Sequence, residues 1–221
     1  MLRGLFVTGT DTGVGKTVVS AALLLRFRST VRLRYWKPVQ TGIEQDDDTA
    51  TVRQLAACAK EEILAEGIRL PRPVSPHLAA RWSGKTIAVD DLVHLIHSQT
   101  SSAAWIVEGA GGALVPLTDT ELMTDLMQAL ALPILVVARS GLGTINHTLL
   151  TLAALRAHDL SVAGVVMVGP LNPDNRAAIE HFGGVPVLGE LPLCNPLDRD
   201  HLAAWAATSL DPQSHLLGVL Q

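Results

Sequence analysis

Cysteine is scarce in this 221-residue chain, and Cys58 and Cys194 are the whole complement. Two distant cysteines exclude a disulfide framework, argue against a zinc site and suit a reducing compartment. Aromatic residues make up only 4%, and the four tryptophans are too scattered to form a stacking platform. Charge is also sparse, at 17%, and its balance is slightly acidic with a net charge of −4. The basic face of a nucleic-acid binder is therefore missing. No apolar run is long enough to cross a bilayer: the longest, Ala129 to Ala138, is interrupted by Pro133. Met1-Leu2-Arg3-Gly4 runs straight into an apolar strand pattern with no signal-peptide core. Internal repeats and low-complexity linkers are absent too. These absences set the expectation of a cytoplasmic protein that engages neither nucleic acid nor membrane. What the chain has in quantity is apolar material, 48% of its residues, enough for one domain spanning 1–221.

The most informative stretch is Val7-Thr8-Gly9-Thr10-Asp11-Thr12-Gly13-Val14-Gly15-Lys16-Thr17. An apolar strand leads into a glycine-rich turn, then Lys-Thr, then the helical run Val18 to Leu25. That order is the recipe for a phosphate cradle. Glycines let successive N–H groups turn toward an anion, and the helix start adds partial positive charge. Lys16 reaches the outer phosphates in such loops, and Thr17 offers its hydroxyl to magnesium. Five residues separate Gly9 from Gly15, where the usual loop has four.

Downstream, short apolar strands alternate with helical patterns. Strands are expected at Val31–Trp36, from Ala104, at Pro133–Ala138, Val162–Val168 and Val185–Leu188. Helices are expected from the acidic cluster Asp46-Asp47-Asp48 through Ala59, near Leu78, and over Asp90–His97. Further helices are expected over Glu121–Leu130, from Leu142 to His158 and over Pro173–Phe182, then loop with one weak helix after Pro192. Such alternation predicts an α/β fold: a P-loop NTPase-type three-layer sandwich, mostly parallel sheet with helices on both faces. Ligands in these sheets lie beyond the carboxyl ends of the strands. Lys37 and Glu108 sit at two such ends, so both are expected to face the crevice of the loop. A carboxylate after a buried strand suits magnesium, and Gly109-Ala110-Gly111-Gly112 behind it lets backbone approach a phosphate. One of Asp46, Asp47 and Asp48 could complete a hard oxygen shell, with nothing local to choose among them. His94 and His97 have no third ligand nearby and read as exposed helix residues.

Gly9–Thr17 with its extra residue, Lys37-Pro38-Val39 with Thr41-Gly42, and Val107-Glu108-Gly109-Ala110-Gly111-Gly112 together resemble the dethiobiotin synthetases of the biotin pathway. Ser75-Pro76-His77, Gly143 through Asn146-His147, and Leu188-Gly189-Glu190-Leu191-Pro192 extend the resemblance in order along nearly the whole chain. The resemblance implies an enzyme that joins 7,8-diaminononanoate and CO2 at the expense of ATP, using Mg2+. A carbamate forms, is phosphorylated, and closes to a cyclic urea with release of ADP and phosphate. By similarity Lys37 is the catalytic lysine, and Thr12, Gly13, Val14, Gly15, Lys16 and Thr17 hold the phosphates. Thr17, Asp48 and Glu108 hold the metal, so the motif selects Asp48. Gly109, Ala110 and Gly111 back the phosphates or carbamate. Val168, Gly169, Pro192, Leu193 and Cys194 fall at the nucleoside end. Thr12, Lys37 and Thr41 meet the diamine. The family is a homodimer in which a helix start, here Gly143, Thr144, Ile145 and Asn146, holds the substrate carboxylate of the partner.

One departure stands out. Relatives commonly carry an asparagine after the strand where this chain has Val168-Gly169, so looser base selectivity is expected. Two rivals share the loop type. Cobalamin-precursor amidases need a further glutamine-hydrolysing domain, for which no room is expected here. Nucleotide-switched ATPases of the partitioning and septum-placement type carry a lysine near the loop start, where this chain has Gly9-Thr10-Asp11.

Overall fold

The computed structural model describes residues 2–221. Seven strands form one sheet in the order β4-β2-β6-β1-β7-β8-β9, and every neighbouring pair runs parallel. They are β1 (Gly4–Gly9), β2 (Leu33–Trp36), β4 (Ile63–Leu64), β6 (Ala104–Gly112), β7 (Ile134–Arg139), β8 (Val162–Val168) and β9 (Val187–Leu191). A second, two-stranded parallel sheet pairs β3 (Val39–Thr41) with β5 (Ile68–Leu70).

Central strands that are apolar throughout must bury both faces, and alternate side chains divide the core in two. Leu5, Val7, Tyr35, Ile106 and Leu135 pack under α1 (Lys16–Phe27), α2 (Asp48–Leu55), α8 (Arg199–Ser209) and α9 (Leu217–Leu220). Phe6, Trp36, Trp105, Val107 and Val136 face the other way. There they meet α3 (Pro76–Trp82), α4 (Val89–His97), α5 (Met123–Leu130), α6 (Thr144–Ala157) and α7 (Pro173–Gly183). The expected three layers are present. Among the described residues no helix is long and apolar enough to cross a membrane.

The sheet order decides where ligands can lie. From β1 the chain crosses through α1 to β2, leaving a place between them that β6 later fills, and then passes to β7 on the far side of β1. Loops therefore diverge at the end of β1, which opens the crevice beyond it.

Three boundaries differ from expectation for local reasons. Strand β2 begins at Leu33 because the Val31 N–H is taken by the Phe27 carbonyl at the end of α1. Helix α2 stops at Leu55, since Ala57 adopts φ +45°, so Ala59 lies outside it. Strand β3 follows directly on Pro38 and reads as a turn in sequence; its partner Ile68–Leu70, distant along the chain, makes it a strand.

Candidate functional site

The loop between β1 and α1 owes its shape to two glycines. A Cβ on Gly9 would lie 2.7 Å from a Val14 methyl carbon and 2.9 Å from the Asp11 carbonyl oxygen, so only glycine lets the loop fold back here. Gly15 takes φ +98°, and as the N-cap of α1 it brings no side chain to the helix start. The free N–H groups of that first turn are left to an anion. Lys16 is buried at the same place and donates to the Asp11 carbonyl at 3.1 Å. Burial, reinforced by the nearby Lys37 charge, lowers its pKa to about 8 against the pull of Glu108, Asp48 and Asp11.

Lys37 follows β2 and is only 2% exposed. Its ammonium lies 2.5 Å from Asp48 Oδ2 and 2.9 Å from Glu108 Oε1, and it donates to the Gly109 carbonyl at 3.0 Å. Burial lowers its pKa, but the two carboxylates outweigh that effect and hold it above the ordinary lysine range. Asp48 shows the mirror image. Its burial favours the neutral acid, yet Lys37, the Thr17 hydroxyl and Lys16 together depress its pKa. Thr17 Oγ1 lies 2.7 Å from Asp48 Oδ1 and 3.0 Å from Glu108 Oε1.

The acidic run divides its labour. The Asp46 carbonyl accepts from Gln40 Nε2 at 2.7 Å, and Asp47 caps α2 by accepting from the Ala50 N–H at 3.0 Å. Asp48, first residue of the helix, is thereby turned toward Thr17 and Lys37.

A cavity of about 650 Å³ opens over this cluster. Thr12, Gly13, Gly15, Lys16, Thr17, Lys37, Thr41, Asp48, Glu108, Ala110 and Gly111 all line it, so the structure brings these expected residues together. Pro73, Val74, Ser75 and Pro76 line it as well. Val14 and Gly109 line no part of it: Val14 packs into the core, and the Gly109 carbonyl accepts from Lys37. Val168 lies behind the loop, its methyl carbons 3.2 Å from where a Gly15 Cβ would stand. Gly169 donates its N–H to the Leu191 carbonyl, and Pro192, Leu193 and Cys194 continue from β9 at the surface. Gly143–Asn146 open α6 and line no part of this cavity; no side chain caps that helix start.

Three contributors escape a reading of the sequence. Tyr35 is fully buried and its hydroxyl donates to Glu108 Oε2 at 3.0 Å. Its signal was available, since Tyr35 and Lys37 are two apart at a strand end and share a face. Arg69 donates to the Lys37 carbonyl at 2.9 Å, and Arg139 donates to the Thr12 carbonyl at 3.1 Å. Only tertiary pairing places these two, so no local pattern reveals them.

The family described as an AAA domain matches residues 3–201. The ATP-dependent dethiobiotin synthetase BioD of Paramagnetospirillum magneticum is 51% identical over 86% of this chain and 88% of its own length. That of Brucella ovis is 46% identical over 90% of each. The biotin biosynthesis bifunctional protein BioCD of Bordetella avium is 48% identical over 92% of this chain, which spans 42% of that longer protein. Among solved structures, a ParA family ATPase from Chlorobium tepidum superposes with a TM-score of 0.58 at 12% identity, covering 100% of this chain and 98% of its own. The MinC:MinD complex of Aquifex aeolicus gives 0.57 at 14%, over 98% of this chain and 96% of that one. At such identity these likenesses show the P-loop fold alone. The chain belongs to the family of ATP-dependent dethiobiotin synthetases, ligases that form C–N bonds in biotin biosynthesis.

Proposed function

We propose that residues 1–221 act as one catalytic domain that converts 7,8-diaminononanoate, CO2 and ATP to dethiobiotin, ADP and phosphate. The observation that carries this reading is Lys37: a buried ammonium at the wall of the cavity, held charged by two carboxylates and facing the Lys16 loop. A reaction between a carbamate anion and a phosphate anion needs cations on both sides of the meeting point. Lys16 and Lys37 supply them from beyond the carboxyl ends of β1 and β2, which flank β6.

The bond changes follow from the substrate. One amine adds to CO2 and loses a proton, giving a carbamate. A carbamate oxygen attacks the γ-phosphorus, the bond to the bridging oxygen breaks, and ADP leaves. The second amine then attacks the carbonyl carbon of the mixed anhydride, the bond from that carbon to the phosphate oxygen breaks, phosphate leaves, and the nitrogen loses a proton. Ring closure gains from intramolecularity, worth up to several kcal/mol, so the protein mainly orients anions and offsets developing charge. In this scheme Thr41 lies by the diamine, and Lys37 contacts the carbamate and γ-phosphate. The loop residues Thr12, Gly13, Val14, Gly15, Lys16 and Thr17 hold the phosphates, backed by Gly109, Ala110 and Gly111.

Thr17, Asp48 and Glu108 fit a Mg2+ ion: one hydroxyl and two carboxylates are clustered within 3.0 Å of the Thr17 oxygen. Hard oxygen donors with room for phosphate and water are what Mg2+ takes, and the ion would polarise the transferred phosphoryl group. Val168, Gly169, Pro192, Leu193 and Cys194 flank the nucleoside, beyond the loop.

A second subunit completes the reading. Helix α6 buries Thr144, Thr148, Leu152 and Leu155, yet Leu150 on its outer side is 61% exposed and Leu142 stands free just before it. In a homodimer that apolar surface is covered and Gly143–Asn146 meet the substrate carboxylate in the partner's cavity. The enzyme acts in the cytoplasm. Incubating the protein with the diamine, bicarbonate and MgATP tests the activity. Diamine-dependent phosphate release with formation of dethiobiotin is expected; phosphate release indifferent to the diamine overturns the assignment.

A further inference from the structure

Glu108 divides its two carboxylate oxygens. Oε1 faces the cavity, with Thr17 Oγ1 at 3.0 Å and Lys37 Nζ at 2.9 Å. Oε2 faces inward, where the Tyr35 hydroxyl donates to it at 3.0 Å. Both side chains are fully buried, so water cannot replace that hydrogen bond. From this division we infer that Tyr35 is a positioning residue that confines Glu108 to one outward oxygen and so tunes the site toward a small, octahedral cation.

The inference rests on the proposed magnesium role of Glu108. Mg2+ takes single oxygens at short, rigid geometry, whereas Ca2+ accepts a carboxylate through both oxygens at longer distances. A glutamate held by its inner oxygen cannot rotate to offer both. Hydrogen bonds behind a metal-ligating side chain commonly set its affinity in this way. The phenol is suited to the task because it stays a donor. In the contact with Glu108 the hydroxyl is the donor and the carboxylate oxygen accepts. The strand supplies the geometry without special devices: Tyr35 sits in β2 beside Ile106 of β6, two residues before Glu108.

Tyr35 is the one tyrosine in the chain, which gives a probe confined to this position. The first experiment measures ADP binding to the full chain by calorimetry in Mg2+ and in Ca2+, for the wild type and for Tyr35→Phe. The expected result is a five- to tenfold weaker Mg2+-dependent affinity in the variant, with the Mg2+ over Ca2+ preference compressed and metal-free ADP binding unchanged. An unchanged metal preference in a folded variant overturns the inference. The second experiment needs no substitution that could disturb folding. Uniform 3-fluorotyrosine labelling yields a single 19F resonance, which should move when Mg2+ is added to the ADP complex and move differently with Ca2+. A resonance indifferent to both ions overturns the inference. If the wild type binds ADP identically with and without metal, the magnesium reading itself falls; metal-dependent binding with an inert Tyr35 removes only the positioning role.

Discussion

The inner and outer halves of the sheet's carboxyl end, the one lining the cavity and the other beside it, are built on different terms. In the inner half, formed by the β1 loop and the ends of β2 and β6, the charged groups find partners inside the chain. Lys37 answers Asp48 and Glu108, Tyr35 and Thr17 answer Glu108, and Lys16 leans on the Asp11 carbonyl. In the outer half, formed by the ends of β8 and β9 and the start of α6, backbone and apolar surface lie open: Leu142, Leu171 and Leu193 are exposed. A closed electrostatic network is stable before any ligand arrives, whereas an open rim depends on ligand or partner for completion. Substitutions should therefore affect chemistry most in the inner half and recognition most in the outer half.

Lys37→Gln is the severest break of the inner network. Glutamine can still donate a hydrogen bond, but it leaves Asp48 and Glu108 without their buried counter-charge. We expect turnover to fall on the order of 10²–10³-fold, the usual effect of losing one preorganised charge-stabilising donor. Because the lysine is buried, unlike an ordinary strand-end lysine, folding stability should also fall, by about 1–3 kcal/mol. Steady-state kinetics and denaturant unfolding read the two effects, and near-normal turnover would remove Lys37 from its role.

A pH series sharpens the contrast between the two lysines. Lys37 is held charged by its carboxylates, so it does not titrate until well into the alkaline range. Lys16, whose folded pKa is lowered to about 8, loses its proton within reach of ordinary buffers. Phosphate favours the charged form, so ADP affinity should be flat below pH 8 and weaken as pH rises through it. A single lysine of this pKa gives a loss of roughly tenfold by about pH 9. For folding the sign is opposite. A lysine with a depressed pKa destabilises the folded state while charged, and this penalty is relieved between about pH 8 and the unfolded value near 10.5. ADP binding that is level across this range would mean that Lys16 does not meet the phosphates.

The same contrast governs what could be read from the residues alone. Gly9, Gly15, Lys16 and Glu108 were legible because each needs its residue type for a local reason: a backbone turn, a helix start or, for Glu108, a carboxylate set into an otherwise apolar strand, although it lies at the middle of β6 rather than at its end. The α/β alternation was legible because each central strand is apolar on both faces. Asp48 could not be told from Asp46 and Asp47 by composition. Capping by Asp47, a local bond to the Ala50 N–H, and the Gln40 bond to the Asp46 carbonyl separate them, and the second depends on β3 to place Gln40. Arg69 and Arg139 were hidden because tertiary approach of distant strands gives them their partners. Gly143–Asn146 were reached only through resemblance, since nothing in this chain's own cavity touches them.

The outer half can be broken at α6. Leu150→Glu places a charge on the exposed apolar side of that helix. If the proposed dimer covers this surface, the variant should sediment as a monomer at micromolar concentration, with KM for the diamine raised about tenfold and ADP binding intact. Dimerisation unaffected by the substitution would place the interface elsewhere and leave Gly143–Asn146 without a substrate to hold.

The mildest effect is expected at the nucleoside end. Val168 offers no hydrogen bond to a base, and the Gly169 N–H is already bonded to the Leu191 carbonyl. The asparagines that follow are already engaged: Asn172 Oδ1 accepts from the Asn175 N–H at the start of α7, and Asn175 Nδ2 donates to the Ser140 carbonyl just after β7. A single side-chain hydrogen bond contributes about 0.5–1.5 kcal/mol, close to tenfold at most. Without one, kcat/KM for CTP and GTP should lie within about tenfold of that for ATP. Val168→Asn should widen the preference for ATP, at some loss of packing because the valine methyls rest against Gly15. A wild-type preference for ATP above a hundredfold would mean that backbone groups at the ends of β8 and β9 read the base, making the outer half as well formed as the inner.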